Sequence, residues 1–280
     1  MVHGMEPGGD AVERATRALN RAVYFLDREL APGQKVRAFQ RAAEVIGGLE
    51  PADLESRVAD NTLTELAGIG RSTGSVISDA VRELPSAYLE DLEEQSACPA
   101  TVGAGLREQI RTDLHCHTTW SDGGASVAEM VATAMDLGHD HLAITDHSPR
   151  LTVAHGLSVE RLSQQLDEID SLREQVAPFR ILTGMEVDIL VDGTLDLPEE
   201  ALGRLDVVVA SVHSKLRMDA KEMTRRMVRA VASPHVDILG HCTGRKITGT
   251  GRPPSAFDAE IVFAACARFG TAVEINCRPE

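Results

Sequence analysis

Residues 113–124 read DLHCHTTWSDGG. Leu114 and Cys116 alternate with His115 and His117, and the period-two geometry of a strand puts both imidazoles on one face. Asp122 follows, at a turn with Gly123 and Gly124. Two imidazoles and a carboxylate so close together form half of a metal site. The other half must come from elsewhere in the chain.

Downstream, short β-branched runs recur: HLAITDH (141–147), ILTGMEVDIL (181–190), DVVVASVH (206–213), VDILGH (236–241) and AVEIN (272–276). Helical patterns separate them, among them SVAEMVATAMDLG, where Ser126 and Glu129 form a capping box and Gly138 stands at the C′ position. Strand–helix alternation predicts βαβ units and a parallel sheet, open or closed into a barrel. The second strand ends in Asp146-His147, the third carries Glu186, the fourth ends in His213 and the fifth in His241. In parallel α/β architectures the C-terminal strand ends converge on one face, where active sites sit. The ordinary alternative, solvated polar residues at strand ends, accounts poorly for five strands in succession. By contrast His139, His141, His155 and His235 read as surface or loop histidines.

Imidazole with carboxylate suits Zn²⁺, Mn²⁺ or Fe²⁺ better than Ca²⁺ or Mg²⁺. The ligands outnumber what one ion needs, so two or three divalent ions are expected. Such a centre makes hydroxide at neutral pH and clamps attacking and leaving oxygens, which is the chemistry of phosphoester hydrolysis. Lys215 and Arg217 follow His213, Arg245 follows His241, and Arg278 follows the sixth strand. Together they suit a phosphate clamp. Glu186, Lys215 and Arg245 are the candidate catalytic groups.

Residues 11–95 show helical periodicity only, with a break at Pro32-Gly33 and a stop at Gly47-Gly48. Residues 1–10 are Gly-rich and expected to be a disordered tail. Residues 96–110, rich in small residues, read as a linker, and 111–280 as the α/β domain. The 280 residues carry a formal net charge of −15, which argues against bulk attraction to nucleic acid but leaves room for a local basic patch. No apolar run is long enough for a membrane span, and the N-terminus has no signal-peptide core. The five cysteines are scattered without CxxC spacing, as expected in a reducing cytoplasm.

Residues 111–280 resemble the PHP (polymerase and histidinol phosphatase) family. The resemblance implies a distorted (β/α)7 TIM-like barrel with three metals. It implies that His115, His117 and Glu186 bind the first metal, that Glu186 bridges to a second held by His213 and His241, and that Asp122 and His147 bind the third. The family pattern closes with Asp-x-His on a seventh strand. This sequence reaches position 280 just past the sixth, so the barrel is expected to lack that strand, two ligands and full activity, unless a residue such as Asp188 substitutes.

Residues 14–95 resemble the small all-α helix-hairpin-helix domain of bacterial family X DNA polymerases, through KVRAFQRAAEVIGGL and LTELAGIGRSTGSVI. The resemblance implies DNA binding, with Gly68 and Gly70 turning backbone N–H groups toward a phosphate and Lys35, Arg37 and Arg41 supplying a basic face. Val76 stands where lyase-active relatives carry a Schiff-base lysine, with Ser72 at a nearby basic position, so lyase chemistry is not expected. Residues 97–105 stand where the polymerase palm would be, so polymerase activity is not expected either. Three functions fit: a metal-dependent phosphoesterase at DNA ends (a 3′–5′ exonuclease or end-processing phosphatase), a small-molecule phosphomonoesterase resembling histidinol phosphatase, and a catalytically impaired DNA-binding protein.

Overall fold

A computed structural model describes residues 9–29, 31–95, 104–247 and 251–276. Two compact units divide between Arg107 and Glu108. Arg278, Cys98, Cys277 and most of the expected tail and linker lie outside the described residues.

The first unit is helical: α1 (Ala11–Arg28), α2 (Gly33–Gly47), α3 (Pro51–Asp60), α4 (Arg71–Val81) and α5 (Ala87–Gln95). A short α6 (Ala104–Arg107) lies within the expected linker. Asp10 caps α1 by accepting from the backbone N–H groups of Val12 and Glu13 while Glu13 reaches back, a reciprocal cap worth about 1 kcal/mol. Leu19, Leu26, Phe39, Ile46, Leu54, Val76 and Ile77 fill the core. Val76 is therefore a packing residue. Residues 62–81 divide into a 3-10 turn at Leu63–Glu65, a tight turn through Gly68, and α4.

Tight geometry at that turn explains both glycines. Gly68 has φ +103°, outside the range L side chains favour. Gly70 is the N-cap of α4, and its own N–H is donated to Thr73 Oγ1 at 2.8 Å. That amide is engaged inside the turn, so any N–H offered to a phosphate there would come from its neighbours.

The second unit is the α/β one. Its strands are β1 (Thr112–Cys116), β2 (His141–Ile144), β3 (Arg180–Asp188), β4 (Val207–Ser211), β5 (Ile238–Leu239) and β6 (Ala272–Val273). All pair in parallel in sequential order, β1 to β6. Helices α7 (Val127–Asp136), α8 (Val159–Val176), α9 (Glu199–Leu202), α10 (Ala220–Val231) and α11 (Ala259–Phe269) make the connections. Ser126 and Glu129 form the expected capping box on α7, and Gly138 follows at φ +78°.

Every residue of β4 is buried, as required where a parallel strand is covered on both faces. On one face Met185, Val187, Val208, Ala210 and Leu239 pack with Met223 and Met227 of α10 and with Leu162 of α8. On the other, Ala143, Val207, Val209 and Ile238 gather with Leu114 and Leu182. The sheet is curled around this second cluster into a six-strand half-barrel. Among the described residues β1 and β6 are its two edges, yet a side chain following β6 hydrogen-bonds one on β1.

Candidate metal centre

Glu186 organises the site. It sits on β3 and is fully buried, which is costly for a carboxylate unless it is paired. Its partners come from four other strand ends. Glu186 Oε1 lies 2.7 Å from His241 Nε2 and 3.2 Å from His213 Nε2. Oε2 lies 2.9 Å from His147 Nδ1 and 3.4 Å from Nε2 of both His115 and His117. One carboxylate thus faces five imidazoles, split between its two oxygens.

Local pairing places each partner. β2–β3 pairing continues beyond Ile144 through a bridge between His147 and Glu186, with Ser148 N–H donating to Glu186 O at 3.0 Å. His213 and His241 each follow their strands by two residues. Gly240 lets the β5 end approach β4, because a Cβ there would stand 2.3 Å from Ser211 Oγ. Asp122, in the turn after β1, reaches His147 Nε2 at 3.5 Å and His117 Nδ1 at 3.9 Å. Buried Asp146 does not point into the cluster. It accepts from Thr118 N–H, Thr118 Oγ1, Ser121 Oγ and Gln165 Nε2, pinning the segment that leads to Asp122.

Electrostatics follow from this crowding. Burial penalises charge on His115, but hydrogen bonds with Glu186 and Glu274 outweigh it and lift the imidazole to about 10. The same contest around His147, with Asp122 and Glu186, lifts it to about 9. His117 goes the other way, to about 4, because burial dominates and charged His147 and His115 repel its proton. Burial would raise the Glu186 carboxyl, yet the close imidazoles of His115, His147, His213 and His241 hold it well below the usual range. The buried and half-buried carboxylates of the cluster thus draw positive charge onto the imidazoles beside them.

The residues fit divalent ions. His117 Nδ1, His147 Nδ1, His213 Nδ1 and Glu186 Oε2 are buried without a hydrogen-bond partner. His147 Nδ1 and Glu186 Oε2 are only 2.9 Å apart and still misaligned for a hydrogen bond, so both are left open to a further partner. Two groups bring ligand atoms within 4.8 Å of one another: His115, Glu186 and His241, and His117, His147 and Glu186. Glu186 is common to both. These groups place His115 and His117 apart, whereas the family resemblance puts them together. Likewise His147 joins His117 here, and His213 approaches Glu186 without entering either group.

Lys215, Arg217 and Arg245 are exposed, on the loops that carry His213 and His241 but outside the cluster. Lys215 has φ +54°. In the helical unit the basic residues do not share one face. Residues two positions apart, such as Lys35 and Arg37, do not face the same way on a helix. Lys35 lies over the Tyr88 ring of α5 at 5.6 Å, while Arg41 flanks Gly68.

Glu274 is the residue that the sequence did not mark. It ends AVEIN directly after β6, and its Oε1 lies 2.9 Å from His115 Nδ1 while Oε2 accepts the His241 N–H at 2.5 Å. A carboxylate at the sixth strand end was a signal of the same kind as the other five. Asp188 plays a comparable part next to His213, and Ser148 Oγ accepts the Asp188 N–H.

Comparison with known proteins adds relatives. The chain is 43% identical over 171 residues to a protein named DNA polymerase/3′-5′ exonuclease PolX from Bacillus subtilis (strain 168), across 61% of this chain and 30% of that protein. It is 32% identical over 169 residues to a probable phosphatase of Thermoanaerobacter sp. (strain X514), across 59% and 63%. A probable phosphatase of Acetivibrio thermocellus is 33% identical over 169 residues, across 59% and 64%. The chain therefore spans less than two thirds of the length of each of these relatives. The stretch that holds all five clustered histidines, Asp122 and Glu186, residues 113–251, matches the family model of the PHP domain.

Proposed function

We propose that the α/β unit is a PHP-family phosphoesterase whose centre holds two or more divalent ions, Zn, Mn or Fe. The observation that carries this is Glu186, a fully buried carboxylate with each oxygen turned to a different set of imidazoles. Bound ions would supply a hydroxide at neutral pH and neutralise charge on the phosphoryl oxygens. Within the chain, Glu186 bridges the two ligand groups and the histidines on either side hold their ions. Asp122, beside His147 and His117, adds a carboxylate on the side away from Glu186. Lys215 and Arg245 meet the phosphate from the loops after β4 and β5.

Nucleic-acid ends are the favoured substrate, through a 3′–5′ exonuclease or end-trimming reaction. This is supported by the similarity to a protein named as a polymerase and exonuclease, and by a helical unit with a glycine turn at Gly68 and Gly70. In that unit Arg41 flanks the turn, Arg37 lies one helical turn before it on the same face, and Lys35 lies elsewhere. The phosphatase names of other relatives favour a second reading, a small phosphomonoester substrate.

Turnover of p-nitrophenyl phosphodiesters, p-nitrophenyl phosphate and 3′-ended DNA with added Mn²⁺ separates the two. No metal-dependent turnover of any of them would refute the enzyme assignment. Binding of gapped DNA by the full chain should weaken with salt, and Arg37→Ala with Arg41→Ala should reduce the slope by roughly one unit per lost contact. A slope unchanged by the pair would remove the helical unit from DNA binding.

A further inference from the structure

Glu274 touches two ligands of one group and none of the other. Its Oε1 is 2.9 Å from His115 Nδ1, and its Oε2 takes the His241 backbone N–H at 2.5 Å. His115 and His241 are two of the three members of one ligand group. Neither belongs to the group of His117, His147 and Glu186. Glu274 is itself fixed, because its N–H donates to Leu239 O at 3.0 Å. An ionised carboxylate only accepts, so its contact with His115 requires the proton on Nδ1. In the neutral imidazole that metal binding requires, that leaves Nε2, on the Glu186 side, with the lone pair.

We infer that Glu274 is a positioning residue for one of the two ion positions: it sets the His115 tautomer and holds the His241 backbone, and it leaves the other position alone. The inference rests on the metal-centre reading above. Carboxylates that orient metal-bound histidines typically change metal affinity about 10- to 100-fold when removed, and the selectivity between positions follows from the contacts just given. Glutamine is a sharp probe. Its single carbonyl oxygen can accept from one of the two N–H groups, and its own NH2 then opposes the other.

The test is a zinc titration of the metal-stripped full chain, wild type against Glu274→Gln. Wild type should bind two equivalents, and the variant should keep one at wild-type affinity with the other about 10- to 100-fold weaker. Co²⁺ absorption should show one changed ion environment and one unchanged. Equal affinities in variant and wild type, or equal weakening at both positions, would overturn the inference. Wild-type protein that binds no zinc would remove the metal-centre reading, and this inference with it. Should Glu274→Gln fail to fold, ¹⁵N-histidine NMR of zinc-loaded wild type decides: His115 protonated on Nδ1 and bound through Nε2 is expected, and binding through Nδ1 would overturn it.

Discussion

Asp188 Oδ1 accepts the backbone N–H of His213 at 3.2 Å and stands 3.4 Å from the Nδ1 of the same residue. The oxygen thus fixes the main chain and lies beside the ring, whose Nε2 faces Glu186. Asp188→Asn, nearly isosteric, should lower metal affinity about 10-fold or more with little change in folding. A metal titration beside a thermal melt checks this.

Removing the shared carboxylate should have the largest effect. Glu186→Gln keeps the shape but deprives both ligand groups of their common anion. An ion at 1,000 times its Kd stabilises the folded state by about 4 kcal/mol. Wild-type protein should therefore melt at a higher temperature with zinc than with chelator. In Glu186→Gln the two curves should nearly coincide.

Arg226 on α10 is buried, and its guanidinium donates to the carbonyls of Ile189, Leu190 and Ser214. It therefore ties the loop after β3 to the residue beside His213. Leu190 O would keep the Gly193 N–H, but Arg226→Met would leave the Ile189 and Ser214 carbonyls without that donor, at about 1–3 kcal/mol for each group left buried. Urea unfolding should show a loss of at least about 2 kcal/mol, and metal affinity should fall too.

Acid sensitivity has an identifiable contributor at Asp206. Burial works against its charge, but hydrogen bonds from the Thr183 backbone and hydroxyl, together with Arg173, hold its pKa below the ordinary value. A depressed carboxyl contributes stability above its unfolded pKa of about 3.9, and that contribution is lost as pH falls through the lower folded value. The gap in urea midpoint between wild type and Asp206→Asn should be open at pH 7 and narrow steadily below about pH 4.

Much of the site could be read from the chain because polar residues ended apolar runs. His115, His117, His147, Glu186, His213 and His241 stand where the strand–helix rhythm placed them. The partition into ligand groups was not readable. His115 comes within reach of His241 as well as of its neighbour His117 because the sheet curls, helped by close approaches such as Gly240 against Ser211. Glu274 ends its strand as the others do, but its contacts with His115 and His241, 159 and 33 residues away, are not written in any local pattern. In the helical unit, Lys35, Arg37 and Arg41 read as one basic face by helical spacing, which holds only for Arg37 and Arg41. The 100° step per residue turns Lys35 toward Tyr88 instead.

The contact across 159 residues between His115 and Glu274 also bears on when the site comes into being. Contacts so distant in sequence form slowly, whereas the locally connected helices of the first unit can form early. On the ribosome, the histidine pair of β1 emerges long before β6 does, at about 5–20 residues per second. During that interval it is an exposed chelating pair with no Glu274 to fix it. Until β6 has been made and placed, a nascent chain would hold an ion only loosely at this pair.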